Sequence, residues 1–307
     1  MNRERDVAVA AVREALQLTM TVQPAESHEK QDRSPVTVAD FGSQAIVCEA
    51  LAAAFPEDPV IGEEDAASMR ESDLLGQVVD HVRRLRPNAD AGAVCDWIDR
   101  GGHSEYEHRF WTLDPIDGTK GFLRGGHYAV ALALVIGGEP VVGVLGCPGF
   151  GAIFSAVKGK GACAEPIGGG ERTPVYSSNT GDPSLARFCE SVEAAHSAHD
   201  EHEIIAKRLG ITMESIRMDS QAKYAAVARG EADIYLRLPK SQTYVETIWD
   251  HAAGAAVLTE AGGKVTDIHG NKLDFTQGRL LSNNKGIIAT NGGLHDAVEN
   301  AVRGLLG

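Results

Sequence analysis

Apolar positions recur at helical spacing over residues 5–20, and the pattern stops at a polar stretch, residues 23–34, that contains Pro24 and closes at Ser34-Pro35. The reading is a helix followed by a loop. Val36-Thr37-Val38 is a short extended piece entering a long apolar helix over residues 39–55, which Pro56-Glu57-Asp58-Pro59 ends. Val60-Ile61 then reads as a short strand delivering three successive acids, Glu63, Glu64 and Asp65, and residues 68–86 read as a helix. A connection containing Gly and Asp leads to an apolar strand that ends near Pro115, a residue with no N–H for a sheet ladder. Two β-rich apolar runs, residues 128–136 and 141–147, are joined by Gly137-Gly138-Glu139-Pro140 and predict a hairpin. The first half is therefore helices packed on an antiparallel sheet.

Gly159-Lys160-Gly161 and Gly168-Gly169-Gly170 mark a change of unit near residue 160. Beyond it, extended segments (173–178, 233–237) alternate with helical ones (200–209, 220–229), which favours a second α/β layer. An alanine-rich helix over residues 250–261 has Asp250 in its first turn and ends at Gly262-Gly263; residues 264–275 read as a hairpin turned at Gly270-Asn271. The expected organisation is an α+β subdomain over residues 1–160 and an α/β subdomain over residues 161–307. The chain carries no internal repeat, P-loop, G-x-S-x-G elbow or H-E-x-x-H helix.

Composition narrows the partners. With 307 residues and 43% hydrophobic content the chain can bury a large core. Its formal charge of -14 argues against broad binding to nucleic acid polymers or anionic membranes, so an anionic ligand must be captured locally by metal ions or a few placed cations. Five scattered cysteines without a C-x-x-C pair, and an N-terminal pattern without an apolar signal region, make a cytoplasmic protein the expectation.

The chemistry concentrates in the stretch from Trp111 to Gly125, WTLDPIDGTKGFLRG. Asp114 and Asp117 flank Pro115, the Ile116 carbonyl lies between them, and Gly118 allows a tight path to the Thr119 hydroxyl. Hard oxygens in this arrangement suit Mg²⁺. Taken alone, the same residues also fit an Asx-type turn with solvated acids. Asp40, at the start of its helix, reads equally as an acid favoured by the helix dipole. Glu63 and Asp250 share with Asp114 and Asp117 a position at the end of a strand or the start of a helix, where a layered fold exposes its chemistry.

Taken together, VTVAD, IGEED, WTLDPIDGTKGF and IWDHAAG resemble the lithium-sensitive, Mg²⁺-dependent inositol monophosphatase superfamily. More narrowly, DPIDGTKGFLRG, HSAHDE, DSQAKY, YLRLP and IWDHAAG resemble its 3'(2'),5'-bisphosphate nucleotidase branch. That resemblance implies a layered αβαβα sandwich of the inositol monophosphatase and fructose-1,6-bisphosphatase type. It also implies hydrolysis of 3'-phosphoadenosine 5'-phosphate to AMP, with the 5'-phosphosulfate as a further substrate. Carried over residue by residue, it makes Glu63, Asp114, the Ile116 carbonyl, Asp117 and Asp250 ligands of two or three Mg²⁺ ions. Asp40 and Thr119 become the pair that activates water, helped by Glu63. Thr119, Lys120, His196, Ser220, Lys223, Arg237 and Asp250 become the substrate contacts, His196 having His199 and His202 as neighbours that compete for the role. Glu64 and Asp65 keep the reading of solvated charge.

Arg237 sits in an apolar-flanked run, where its charge needs either a bound anion or an internal acid such as Asp233 or Glu246. The competing functions are an inositol phosphate or inositol polyphosphate 1-phosphatase with the same metal core, and a metal- or nucleotide-binding regulator without catalysis. A haloacid dehalogenase phosphatase fits poorly, because the acids are spaced D-x-x-D with a proline between them. A monomer and a homodimer are both compatible with the sequence.

Overall fold

The computed structural model describes residues 1–22, 27–29, 35–70, 72–192, 196–239, 241 and 243–306, with side chains for all of these except 27–29, 35, 36, 68 and 196–200. Helix α1 (Asn2–Thr19) turns Ala8, Val9, Val12, Ala15 and Leu16 inward, which is the apolar stripe of its sequence. The expected loop over residues 23–34 lies largely outside the described residues, apart from strand β1 (Ser27–Glu29), which pairs antiparallel with β2 (Pro35–Thr37). Helix α2 (Val38–Ala54) starts from a capping box: the Thr37 hydroxyl accepts from the N–H groups of Ala39 and Asp40, while Asp40 accepts from the Thr37 N–H.

After β3 (Val60–Gly62), the single helix expected over residues 68–86 is two, α3 (Ala67–Arg70) and α4 (Leu74–Arg83). Ser72 divides them, its hydroxyl donating to the Met69 carbonyl at 3.0 Å and accepting from the Leu74 N–H at 3.2 Å. The connection that follows contains a further helix, α5 (Ala91–Asp99), capped by the Asp90 carboxylate on the Ala93 N–H.

Strand β4 (Arg109–Asp117) leads into the short helix α6 (Thr119–Leu123) and then the meander β5 (Ala129–Ile136), β6 (Glu139–Cys147), β7 (Ala152–Val157), β8 (Ala162–Pro166) and β9 (Thr173–Val175). With β3 these strands form one seven-stranded sheet in chain order, antiparallel except for the β3–β4 pair. Gly159-Lys160-Gly161 is the turn of the β7–β8 hairpin. The change of sheet therefore falls after Val175, where the glycine pattern places it near residue 160.

A second sheet follows, built from β10 (Phe188–Glu190), α7 (His196–Leu209), β11 (Ile216–Arg217), α8 (Ala222–Ala228), β12 (Ile234–Arg237), α9 (Ala252–Glu260), β13 (Lys264–Thr266), β14 (Ile287–Thr290) and α10 (His295–Leu306). Its strand order is β11-β10-β12-β14-β13, parallel around β10 and antiparallel around β14. The hairpin expected over residues 264–275 does not form, since β13 pairs with β14 instead. Asp267 captures the N–H groups of His269 and Asn271, and that local capture holds the chain in a loop rather than a returning strand.

Alternation along β5 shows how the layers stack. Val130, Leu132 and Leu134 face α1 and α2, whereas Ala129, Ala131, Ala133 and Val135 face the helices α8 and α9. Small residues on that second face let Ala252, Ala253 and Val257 of α9 approach closely. The five-stranded sheet covers the same helices with Tyr235, Ile287 and Ala289, and turns Ile234, Leu236 and Ile288 toward α7 and α10. Helices, sheet, helices, sheet, helices is the αβαβα order that the sequence resemblance implies.

Candidate metal centre and active site

Pro115 does not end β4 as the sequence suggests. Asp114 pairs with Ala131 and Asp117 with Ala129, so the strand continues through Asp117 by means of a β-bulge that leaves the proline outside the ladder. The bulge matters chemically. Residues three apart in a regular strand face opposite sides, and one extra residue returns Asp117 to the side of Asp114. From helix α2, the Ser43 hydroxyl donates to the Pro115 carbonyl at 2.9 Å and fixes the distortion.

Asp250 reaches the same place from the other sheet's side of the molecule. It lies in the turn before α9, which begins at Ala252, and so is not in the helix's first turn as expected. Carboxylate oxygens of Asp114, Asp117 and Asp250 all lie within 4.8 Å of one another. Gln221 ties the arrangement together: its N–H donates to Asp117 Oδ2 at 2.6 Å, its side-chain amide donates to the Trp249 carbonyl at 2.8 Å, and its amide oxygen accepts from the Gly254 N–H at 2.9 Å.

Such a cluster is electrostatically costly when no cation balances it. Burial, reinforced by Glu63, Asp117, Asp250 and Asp40, drives the Asp114 carboxyl well above the usual carboxylate range. Burial and then Asp250 push Asp117 up to about 7, against the opposing pull of Lys223, the Gln221 N–H and Arg237. Asp114 Oδ1 is buried and has no hydrogen-bond partner among the described residues. A buried, unpartnered carboxylate oxygen beside two more carboxylates is the donor set of a hard divalent cation such as Mg²⁺, and the residues fit that ion.

Asp40 is 1% exposed, and its Oδ1 accepts a long 3.4 Å hydrogen bond from the Thr119 hydroxyl, which also reaches the Ile116 carbonyl at 3.2 Å. Ile116 itself packs in the core between α2 and the sheet. Glu63 follows β3, its N–H bonded to the Leu113 carbonyl at 3.2 Å; its carboxylate is not in the three-acid ring but acts on Asp114 through its charge. Glu64 departs from the expectation of solvated charge, being buried with its backbone N–H and carbonyl both held by Gln44; Asp65 is exposed. The burial follows from α2, which carries the buried Gln44 amide directly under the strand end.

Of the expected substrate contacts, Ser220, Lys223 and Arg237 border the ring. Ser220 adopts φ 70°, a strained left-handed conformation for a non-glycine residue, in the turn that aims the Gln221 N–H at Asp117. Lys223 is buried over the Tyr235 ring at 5.2 Å, and burial lowers its pKa against the raising effect of Asp117. Arg237 is ion-paired with both Glu246 at 2.8 Å and Asp250 at 2.9 Å, while Asp233 instead accepts from the Arg187 N–H. Lys120 is exposed on α6. The side chains of His196 and His199 lie outside the described residues; His202 is buried, bonded to Glu190 at 2.9 Å and stacked on Phe188, and so faces the core.

Gln221, Tyr224 and His251 belong to the centre's frame and were not singled out from the sequence as functional. All three stand inside the motifs DSQAKY and IWDHAAG, and position in the motif is the signal that the sequence offers for them. Arg124, at the end of α6, is ion-paired with Asp219 and so joins the Thr119 helix to the Ser220 turn.

The five-layered fold and the three-carboxylate ring define a class, and residues 2–304 match the family model described as the inositol monophosphatase family, to which the chain belongs. Within it, the chain is similar to the 3'(2'),5'-bisphosphate nucleotidase of Emericella nidulans, with 42% identity covering 99% of this chain and 98% of the relative. It is also similar to that of Schizosaccharomyces pombe, at 43% identity covering 97% and 94% respectively. Among solved structures, an inositol monophosphatase from Thermotoga maritima superimposes with a TM-score of 0.72 at 23% identity, covering 100% of this chain and 98% of the other. One from Anabaena gives 0.66 at 24% identity, covering 98% and 95%. These two likenesses are of fold.

Proposed function

We propose that the chain is a Mg²⁺-dependent 3'(2'),5'-bisphosphate nucleotidase that removes the 3'-phosphate of 3'-phosphoadenosine 5'-phosphate to leave AMP, and accepts the 5'-phosphosulfate analogue as well. The observation that carries the metal chemistry is the ring of Asp114, Asp117 and Asp250 with its unpartnered Asp114 oxygen. The choice of a nucleotide rests on the near full-length similarity to nucleotidases.

Phosphate monoester hydrolysis is among the slowest uncatalysed reactions, needing up to about 10²¹-fold acceleration. Protein acids and bases alone supply only about 10²- to 10⁴-fold. Glu63, Asp114, the Ile116 carbonyl, Asp117 and Asp250 would hold the Mg²⁺, which when bound would supply the remainder by lowering the pKa of water and offsetting charge on the leaving oxygen.

The chain's own groups do the rest. Asp40 accepts a hydrogen bond from the Thr119 hydroxyl, which leaves Thr119 Oγ1 lone pairs to face the attacking water; as Thr119 Oγ1 takes the water's proton its own passes to Asp40, so one proton in all ends on the carboxylate. The Thr37 N–H and hydroxyl, at 2.7 and 2.5 Å from Asp40 Oδ2, hold that carboxylate in place. Ser220, Lys223 and Arg237 border the side on which an anionic substrate must arrive, with Lys120 as an outer contact and His196 carried over from the family resemblance alone.

A comparison of kcat/KM for adenosine 3',5'-bisphosphate and inositol 1-phosphate tests the substrate assignment. Preference for the nucleotide is expected, and preference for the inositol ester would overturn it. Inhibition by lithium is a further expectation from family membership.

A further inference from the structure

Behind Arg237 lies a row of buried polar groups that the reaction as derived does not use. Glu246 is 3% exposed and His251 is fully buried, as is Tyr224. The row is continuous: Tyr224 Oη lies 2.9 Å from His251 Nδ1, His251 Nε2 lies 3.3 Å from Glu246 Oε2, and that same oxygen lies 2.8 Å from Arg237 Nε.

Chemistry orients each contact. A carboxylate has no proton to give, so Nε2 of His251 carries the hydrogen and Nδ1 is left to accept from the phenol. Burial drives the Tyr224 hydroxyl well above its ordinary pKa, which keeps it a donor. At the far end, Arg237 Nη2 donates to Asp250 Oδ2 at 2.9 Å and to the Tyr244 hydroxyl at 3.0 Å. Burial opposes the guanidinium charge, and Asp250 and Glu246 outweigh it.

Arg237 thus stands between two acids of different character. Asp250 is a member of the carboxylate ring, whereas Glu246 is outside that ring and anchored from behind by His251, which Tyr224 holds in turn. Without Glu246 the guanidinium would have, among the described residues, Asp250 alone as an ion-pair partner, would be drawn onto the ring, and would compete there with a cation.

We propose that Glu246, braced by His251 and Tyr224, is a positioning residue that holds Arg237 at the rim of the metal centre and so sets how tightly the anionic substrate is bound. The proposal rests on the reading of Arg237 as a substrate contact. It assigns Glu246 no contact with substrate.

Glu246→Gln probes this, because His251 and Arg237 meet one oxygen and a glutamine carbonyl placed there keeps those two contacts while removing the charge. The expected result is a KM for adenosine 3',5'-bisphosphate raised about tenfold with kcat changed less than about threefold. In an Arg237→Ala background the same substitution should change KM by less than about twofold, since the residue it acts through is gone. Tyr224→Phe, which removes only the brace, should shift KM in the same direction by a smaller factor.

An unchanged KM in folded Glu246→Gln protein, or a tenfold rise that persists in the Arg237→Ala background, overturns the proposal. Should Glu246→Gln fail to fold, Tyr224→Phe with an unaltered KM overturns it. If wild-type protein does not turn over the nucleotide, the nucleotidase reading fails separately. The same comparison on inositol 1-phosphate then decides the role of Glu246.

Discussion

Asp117 joins the bulged strand to the Gln221 turn and completes the carboxylate ring. Asp117→Asn keeps the shape but removes the charge. It should lower Mg²⁺-dependent phosphate release by more than about 100-fold, beyond the range for disturbing only a partner of a metal ligand. Circular dichroism should show the fold intact. The raised pKa values bear on metal binding directly, because a carboxylate must lose its proton to ligate. With Asp117 at about 7 and Asp114 higher than the usual carboxylate range, Mg²⁺ binding should release protons, and affinity should weaken as pH falls through about 7. Calorimetric Mg²⁺ titrations in buffers of different ionisation enthalpy check both points; an affinity independent of pH between 6 and 8 would contradict them.

Among the elements, the β4 bulge and the α6 turn decide whether the acids converge. Gly118 sits between them at φ 85°, where a Cβ would lie 3.0 Å from the Ser220 Cβ. Gly118→Ala therefore meets both left-handed strain of roughly 1–2 kcal/mol and a collision with the Ser220 turn. Thermal melting should show a loss of that order, and phosphate release should fall further than stability does, since Ser220 precedes the N–H that holds Asp117. Helix α1 is legible in the sequence from its apolar stripe, and helix α2 and the β5–β6 hairpin from long apolar runs bounded by proline and glycine turn residues. The continuation of β4 past Pro115 is not, because it depends on a partner strand and on Ser43, both distant in sequence. Likewise, nothing local tells that Lys264–Thr266 pairs with Ile287–Thr290 across a loop held by Asp267. Glu64 reads as solvated from its charged neighbours, and only the packing of Gln44 beneath it shows otherwise.

At the scale of the whole molecule, five layers bring acids from both halves of the chain to one place, and a chain of formal charge -14 receives an anion there through local cations. The second sheet depends on a buried histidine: His295 Nε2 lies 2.9 Å from Thr266 Oγ1 and Nδ1 lies 3.0 Å from Thr290 Oγ1, tying β13 and β14 to α10. Burial, then the Lys264 charge, lowers its pKa from 6.5 to about 4. Between those values the unfolded chain binds a proton that the folded one refuses, so this residue makes stability fall as pH drops from 6.5 to about 4. Urea unfolding across that range should show the loss, and His295→Gln should flatten it. If a metal held by Asp114, Asp117 and Asp250 enables phosphate ester hydrolysis, phosphate release from adenosine 3',5'-bisphosphate must follow Mg²⁺ as it is titrated into chelator-treated protein. No release is expected without the ion and a saturable rise with it; release that persists in excess chelator would show that the carboxylate ring does not work through a metal.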